Sequence, residues 1–240
     1  MTAERWTRAV RKQPALGRLL PLGGACEGAW IAEGAVGVVL RRAARGVPGV
    51  RLGALRLALT DPEDAEEPVV PPPPSALSPG PLRRTADVAA TAAVPLPDTA
   101  SRLRLVLATA AARGVGLTVT EVDLRVTALM DDEVPPAPAA DVAQPAPVRQ
   151  TADPDEARAA EAALSVPGVI RLTGVLGGLG RAVHIEARQD ETALPRRHVR
   201  VEVAVDAGHR ALDVARRVRA AVRDALRDHP TVAVLVTAVG

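Results

Sequence analysis

Alternating apolar and polar positions mark the clearest strands of the chain. Between Val199 and Val205 every second residue is valine, and Arg200, Glu202 and Ala204 stand between them. A period of two is typical of a half-buried strand, because successive side chains point to opposite faces of a sheet. The same alternation of valines predicts a final strand over residues 231–239.

Two helices accompany these strands in the second half of the chain. Apolar residues recur at helical spacing from Leu212 to Leu226, which predicts an amphipathic helix. A shorter helix is predicted over 155–164, because Asp153 is a suitable N-cap and Pro154 suits the first helical position. Pro167-Gly168 is expected to end that helix.

A glycine-rich segment, Gly177-Gly178-Leu179-Gly180, separates two further predicted strands. The strands cover residues 169–176 and 182–187, and we interpret the glycines between them as a hairpin turn. The order helix, three strands, helix, strand is typical of an α+β layer with its helices on one face of a mostly antiparallel sheet.

The first half of the chain contains a weaker copy of this pattern. Val47-Pro48-Gly49-Val50 matches Val166-Pro167-Gly168-Val169, and an Arg-Leu pair follows each match closely. A helix over 34–45 and strands over 82–92 and 117–129 complete the copy. A repeated pattern predicts a repeated unit. The sequence therefore predicts an α+β fold of two tandem small domains, each a mostly antiparallel sheet with two helices packed on one face.

Proline-rich stretches set the predicted boundaries. An acidic, proline-rich stretch over 60–81 is interpreted as a long, poorly packed loop inside the first domain. An alanine- and proline-rich stretch is interpreted as an interdomain linker. The predicted division is a basic N-terminal segment 1–28, a first domain 29–130, a linker 131–153 and a second domain 154–240.

Composition excludes several classes of function. Of 240 residues 48% are apolar, yet the only aromatic residues of the Phe, Trp and Tyr types are Trp6 and Trp30. A base-stacking platform or an aromatic sugar site is thereby excluded, since both need ring faces. The single Cys excludes a disulfide framework and a multi-cysteine metal site. The net charge of +2 gives no strong overall field, and the abundant arginines, beside one lysine, are attributed to coding bias.

Histidine and glycine motifs that could carry chemistry are given ordinary interpretations. His184-Ile-Glu186 is similar to the His-x-Glu of zinc deaminases, but the required Pro-Cys-x-x-Cys is absent, so we interpret it as a surface pair. The glycine-rich segment lacks the following helix that a phosphate loop needs. We expect no catalytic residue, no metal site and no cofactor.

Several of these features together resemble the alkaline shock protein family. They are the Val166-Pro167-Gly168-Val169 turn after a short helix, the strand that closes in Asp206-Ala207-Gly208, and the amphipathic helix that follows. The resemblance covers roughly residues 155–240, with residues 29–130 as a degenerate copy. It implies a non-enzymatic protein of the Gram-positive envelope stress response. Such proteins lie in the cytoplasm beneath the membrane, held by a small membrane-anchored partner, and the resemblance brings no catalytic residues with it.

A basic segment at the start of the chain is the candidate for docking to that partner or to the membrane. Its residues combine positive charge with one aromatic ring, as amphipathic surface segments do. The candidate docking residues are Arg5, Trp6, Arg8, Arg11 and Lys12. The alternative is a terminus that simply packs on the first domain or stays loose. The expected partners are a small membrane-anchored protein, like chains, or both. No apolar run is long enough to span a membrane, so we expect a cytoplasmic protein, and the resemblance implies a position at the membrane's inner face.

An arginine stripe on the last predicted helix supports one alternative function. Four arginines at helical spacing could contact phosphates of a nucleic acid. They are Arg216, Arg219, Arg223 and Arg227. The ordinary interpretation of such a stripe is a solvated helix face, because Asp224 and Asp228 dilute its charge. Nucleic acid is therefore the alternative partner.

Overall fold

The structure, a computed structural model, describes residues 17–130, 148, 153–175, 180–188 and 196–240. The described residues form nine strands in two sheets, with four α-helices, so the predicted α+β class is confirmed. The strands are β1 Leu19–Pro21, β2 Ala29–Ala32, β3 Val50–Leu59, β4 Leu82–Thr91, β5 Val119–Met130, β6 Val169–Leu172, β7 Val183–Arg188, β8 Arg196–Val205 and β9 Thr231–Val239. The helices are α1 Glu33–Ala44, α2 Leu96–Thr109, α3 Pro154–Leu164 and α4 Ala211–Ala225, and a π-helical segment, Ala110–Val115, continues α2.

Both sheets are mixed. The larger has the strand order β1-β2-β9-β8-β6, with β7 also paired to β8, and the smaller has the order β3-β4-β5. The pairs β4–β5, β8–β9 and β2–β9 are parallel, and the others are antiparallel. The parallel pairs β4–β5 and β8–β9 arise because a helix returns the chain to the same end of the sheet between the two strands. The alternation of valines did not reveal these parallel pairs.

The two halves share details that go beyond strand order. Gly49 and Gly168 both adopt a positive φ, which L side chains rarely adopt. The carbonyl of Gly49 accepts a hydrogen bond from the amide of Thr91, and that of Gly168 accepts one from Asp206, both at 2.9 Å. Each glycine thus ties the start of one strand to the end of the neighbouring strand.

A threonine at a β-bulge is the second shared detail. β5 carries an extra residue opposite the step from Val88 to Ala89, and β9 carries one opposite the step from Val203 to Ala204. The extra residue is Thr127 in one half and Thr237 in the other, and each hydroxyl donates to the neighbouring valine carbonyl, at 3.5 and 3.4 Å. Positions in β4 and β8, and in β5 and β9, can therefore be matched one to one.

The predicted hairpin around the glycine-rich segment is wrong. β6 and β7 are not paired to each other: each is antiparallel to β8, β6 along residues 203–205 and β7 along 196–201. They are two pieces of one interrupted strand, corresponding to β3, which itself shifts register between Leu52 and Leu55. Residues 176–179, which include most of the glycine-rich segment, lie outside the described residues.

A hairpin from the first half completes the larger sheet. β1 and β2 pair with each other, and β2 adds in parallel to β9, with Trp30 opposite Leu235. The predicted boundary between residues 28 and 29 thus falls inside this hairpin. Buried apolar side chains from both halves form one continuous core, from Leu19 to Val239. The division into two domains stays a prediction, and of its linker 131–153 only Val148 and Asp153 are described.

The proline-rich loop over 60–81 is better packed than predicted. Val70 and two prolines, Pro73 and Pro79, are buried. The Leu77 amide donates to the carbonyl of Leu19 at 2.8 Å, and the Trp30 indole donates to the carbonyl of Leu77 at 3.3 Å. The loop therefore covers the free edge of β1 and the ring of Trp30, which protects that edge from unwanted pairing.

Helix boundaries agree closely with the sequence pattern. Asp153 caps α3 by accepting hydrogen bonds from the amides of Asp155 and Glu156 at 2.8 and 3.3 Å, as predicted. The amphipathic helix α4 buries Leu212, Val218 and Val222 in the core.

Candidate interaction surfaces

The basic docking segment lies outside the described residues. This applies to all five of its candidates, Arg5, Trp6, Arg8, Arg11 and Lys12. The first described residue with a defined role is Arg18, whose guanidinium lies 3.7 Å from the Glu33 carboxylate.

Two arginines of the predicted stripe bind the chain's own β1–β2 turn. Arg216 forms a two-point contact with the Glu27 carboxylate, at 2.9 and 2.5 Å. Arg219 donates to the carbonyl oxygens of Cys26 and Glu27, the latter at 2.5 Å. Hydrogen bonding to Arg216 lowers the pKa of Glu27. These arginines fasten helix α4 to a hairpin almost two hundred residues earlier in the chain.

The remaining stripe residues are exposed. Arg223 lies 3.1 Å from the adjacent carboxylate of Asp224, and Arg227 follows the end of α4. The structure therefore divides the four arginines into a pair that contacts the β1–β2 turn and a pair that does not contact it. Two exposed arginines form a much smaller phosphate-binding surface than the stripe of four that the spacing predicted.

The histidines lie on separate elements and have structural partners. His184 is 8% exposed, so the interpretation of His184 and Glu186 as a surface pair is wrong for the histidine, while Glu186 is exposed. The ring of His184 contacts the Arg181 carbonyl at 3.1 Å, and His198 contacts the Thr231 hydroxyl at 2.9 Å. Burial, reinforced by Arg200 and Arg181, lowers the pKa of His184. Within the described ranges, no three His, Cys, Asp or Glu side chains are grouped so as to hold a metal ion.

A polar cavity of about 340 Å³ lies where β8 begins and the α4–β9 loop ends. Arg197 is one of its lining residues and contacts Asp228 at 2.5 and 2.7 Å and Asp155 at 2.6 Å. The two carboxylates raise the pKa of Arg197, and their own pKa values are lowered by it. The Arg197 guanidinium joins α3, β8 and the α4–β9 loop, so its charge is compensated within the chain.

The outer edge of β5 is a candidate interaction surface that the sequence pattern missed. Among the strands of the described chain, none pairs with this edge of a twelve-residue strand. The other outer strand of the same sheet, β3, is protected: the Leu57 amide donates to Glu33 at 3.0 Å, and the Leu57 carbonyl accepts from Arg18. On β5, Arg104 of α2 donates to the carbonyl of Val122 at 3.2 Å.

Apolar side chains lie exposed beside the β5 edge. Val126 is 45% exposed and Leu129 is 66% exposed, although their partners in β4, Val88 and Ala90, are buried. On α2, which packs on this sheet, Leu105 is 69% exposed. An open edge next to exposed apolar residues is typical of an interaction surface. The only signal in the sequence was the apolar alternation of β5, which predicts a strand but does not show whether its edge is covered.

The sequence pattern also did not predict that Arg84 is buried. Arg84 is 0% exposed on the core face of β4 and donates to the Leu107 carbonyl at 3.4 Å. Its Nε and Nη2 atoms are buried, and no described residue forms a hydrogen bond with them. Burial lowers the pKa of Arg84 to about 10. Arg84 lies four positions before Val88, and Val199 lies four positions before Val203, the two valines at the matched bulges. Arg84 therefore corresponds to Val199, a core valine of β8.

None of the helices in the described part of the chain has the length and apolar character needed to cross a bilayer. In comparisons with known proteins, no family model, no curated protein and no solved structure matches this chain.

Proposed function

We propose that this chain is a non-enzymatic scaffold that works by binding other proteins. The observation that carries the proposal is the open edge of β5 beside exposed Val126 and Leu129. Backbone groups on such an edge offer hydrogen bonds to an added strand, and the apolar residues beside it offer area to bury. The polar cavity at Arg197 and the buried His184 support the same proposal, because both side chains are engaged in contacts within the chain.

The cellular setting follows from the resemblance to the alkaline shock family. In this setting the scaffold acts in envelope stress homeostasis, at the inner face of the membrane, through a small membrane-anchored partner. The basic residues before position 17 would provide the attraction to anionic lipid that brings the chain there.

A pull-down from the native cells, with cross-linking before lysis, tests this proposal. We expect one small membrane-anchored protein to be enriched with the full chain and the tagged partner to capture this chain in return. The matched variant replaces Arg5, Arg8, Arg11 and Lys12 with Gln and keeps Trp6. It leaves every described contact intact, including the Arg18–Glu33 ion pair, and should reduce recovery in the membrane fraction several-fold.

Two results would contradict the proposal. The first is equal recovery of the unaltered chain and of the variant in the cytosol, with no membrane protein captured by either. The second is micromolar binding of RNA or duplex DNA with a steep dependence on salt, lost in an Arg223→Gln, Arg227→Gln double variant, which would favour the nucleic-acid alternative.

A further inference from the structure

We propose that a second copy of this chain pairs with β5, edge to edge and antiparallel, about a twofold axis at Leu124. The inference rests on the proposed function, because it assigns the surface through which like chains associate.

The backbone of β5 presents its hydrogen-bonding groups at the correct positions. The contact from Arg104 indicates that the Val122 carbonyl points away from β4. Backbone groups alternate in direction along a strand, so those of Leu124 and Val126 also point outward. The register with β4 is regular from Glu121 to Val126, between two bulges. With a twofold axis at Leu124, Leu124 of one copy and Leu124 of the other therefore form a hydrogen-bonded pair.

The order of residues in this regular segment is self-complementary. It reads Val122-Asp123-Leu124-Arg125-Val126. In the proposed register Val122 faces Val126 of the second copy, and Asp123 faces Arg125 of the second copy, twice by symmetry. Opposite charges that face each other across strands stabilise the pair, whereas like charges destabilise it. An axis at Asp123 or at Arg125 would bring like charges together, so the charges select Leu124.

The side chains beside the edge fit the same arrangement. Val122, Leu124 and Val126 share the helix-bearing face, because they pair with Arg84, Ala86 and Val88 of β4, which are all buried. The second copy would bring its own Val122 against exposed Val126. Its helix α2 would extend the apolar cover over this end of the sheet. The pairing thus removes apolar area that the single chain leaves in water.

The repeat provides an internal precedent for a strand added at this edge. The position matched to Leu124 is Val234 of β9, which pairs with Ala29 of β2. β9 has Ala233 and Leu235 where β5 has Asp123 and Arg125. The apolar edge of β9 takes the apolar strand Ala29–Ala32, while the charged edge of β5 suits a partner with the reverse order of charge.

Charge reversal tests the pairing in solution. We expect the full-length chain to sediment as a dimer, and Asp123→Arg or Arg125→Asp alone to weaken association at least tenfold. An equimolar mixture of these two variants should recover the dimer, because each then faces an opposite charge. Arg56→Asp on β3 is the matched control for charge and should sediment as the unaltered chain does. Thermal unfolding of each variant checks that it is folded.

A disulfide trap tests the register. In a Cys26→Ser background, Leu124→Cys should give a covalent dimer under mild oxidation, because Cα atoms of a hydrogen-bonded pair lie about 5.5 Å apart, within disulfide range. Val122→Cys is the control, since two copies of residue 122 would lie more than about 13 Å apart.

The possible results separate this inference from the proposed function. A monomer at every concentration, a dimer that both charge variants leave unchanged, or a covalent dimer through residue 122 and not 124 would each overturn the pairing. A dimer with the expected register, combined with no membrane-anchored partner in the pull-down, would uphold the pairing and contradict the membrane setting of the proposed function.

Discussion

Arg84 donates a hydrogen bond to the carbonyl oxygen of Leu107, in the last turn of α2, from a position that no solvent reaches. The corresponding residue of the second repeat is Val199, which occupies the core without needing a partner. The first half of the protein therefore carries a buried charge at a position where the second half carries an ordinary core residue.

Replacing Arg84 with Val should stabilise the protein. A buried guanidinium with two unsatisfied nitrogen atoms carries a desolvation cost that a valine does not, so we expect the free energy of unfolding to rise by about 1–3 kcal/mol. Urea denaturation measures the change. Arg83→Val is the matched control: Arg83 lies on the opposite face, paired with Glu121 at 2.5 Å, and because this ion pair is exposed its loss should not raise the free energy of unfolding.

The same arginine predicts a pH dependence in the alkaline range. Burial lowers the pKa of Arg84 to about 10, well below its ordinary value. Above about pH 10 the unfolded chain therefore binds more protons than the folded chain, and stability should rise with pH. The chain has no Tyr and a single Lys, so few groups other than arginines titrate there. A pH slope that persists unchanged in the Arg84→Val variant would contradict this assignment.

Breaking the Arg216–Glu27 contact should loosen the β1–β2 hairpin from α4. We expect Glu27→Gln to lower the free energy of unfolding by about 0.5–1 kcal/mol, since both side chains remain partly exposed. Hydrogen exchange of the β2 amides should increase in the same variant. Because the pKa of Glu27 is lowered from 4.5, this contribution is present above that value and is lost as the pH falls below it.

The control for this prediction is Arg223→Gln, which removes an exposed arginine one turn beyond Arg219. It should leave hairpin exchange unchanged. Equal effects of the two variants would contradict the assignment of hairpin stability to the contact between Arg216 and Glu27.

Protonation of His184 should destabilise the fold in mild acid. Burial lowers the pKa of this histidine below its ordinary value of 6.5, so below that pH the unfolded chain binds the proton first. The unfolding midpoint should fall as the pH drops from about 7 toward about 5, and His184→Gln should reduce this dependence. His209→Gln, which replaces an exposed histidine, is the control and should retain it.

Arg104 should oppose the addition of a strand to β5. Its guanidinium occupies the outward carbonyl of Val122, which an incoming strand would use. We expect Arg104→Gln to strengthen self-association several-fold in sedimentation experiments, without a large change in thermal stability. Weaker association in this variant would indicate that Arg104 contacts the partner and does not cap the edge.

The sequence by itself determined the local elements. The N-cap at Asp153, the amphipathic helix α4, the alternating strand β8 and the Pro-Gly turns before β3 and β6 all follow from interactions within a few residues. The match between the two Pro-Gly turns also indicated the repeat, since the same local geometry recurs at Gly49 and Gly168.

Only the tertiary structure decided which elements meet. Pairing of β2 with β9, the joining of β6 and β7 into one interrupted strand, and the contact of Arg216 with Glu27 depend on residues far apart in the chain. Periodicity shows which face of a strand is apolar, but it does not show which strand lies beside it or whether its edge is covered. For that reason the alternation in β5 predicted a strand, and the fold alone revealed that no strand among the described residues pairs with its outer edge.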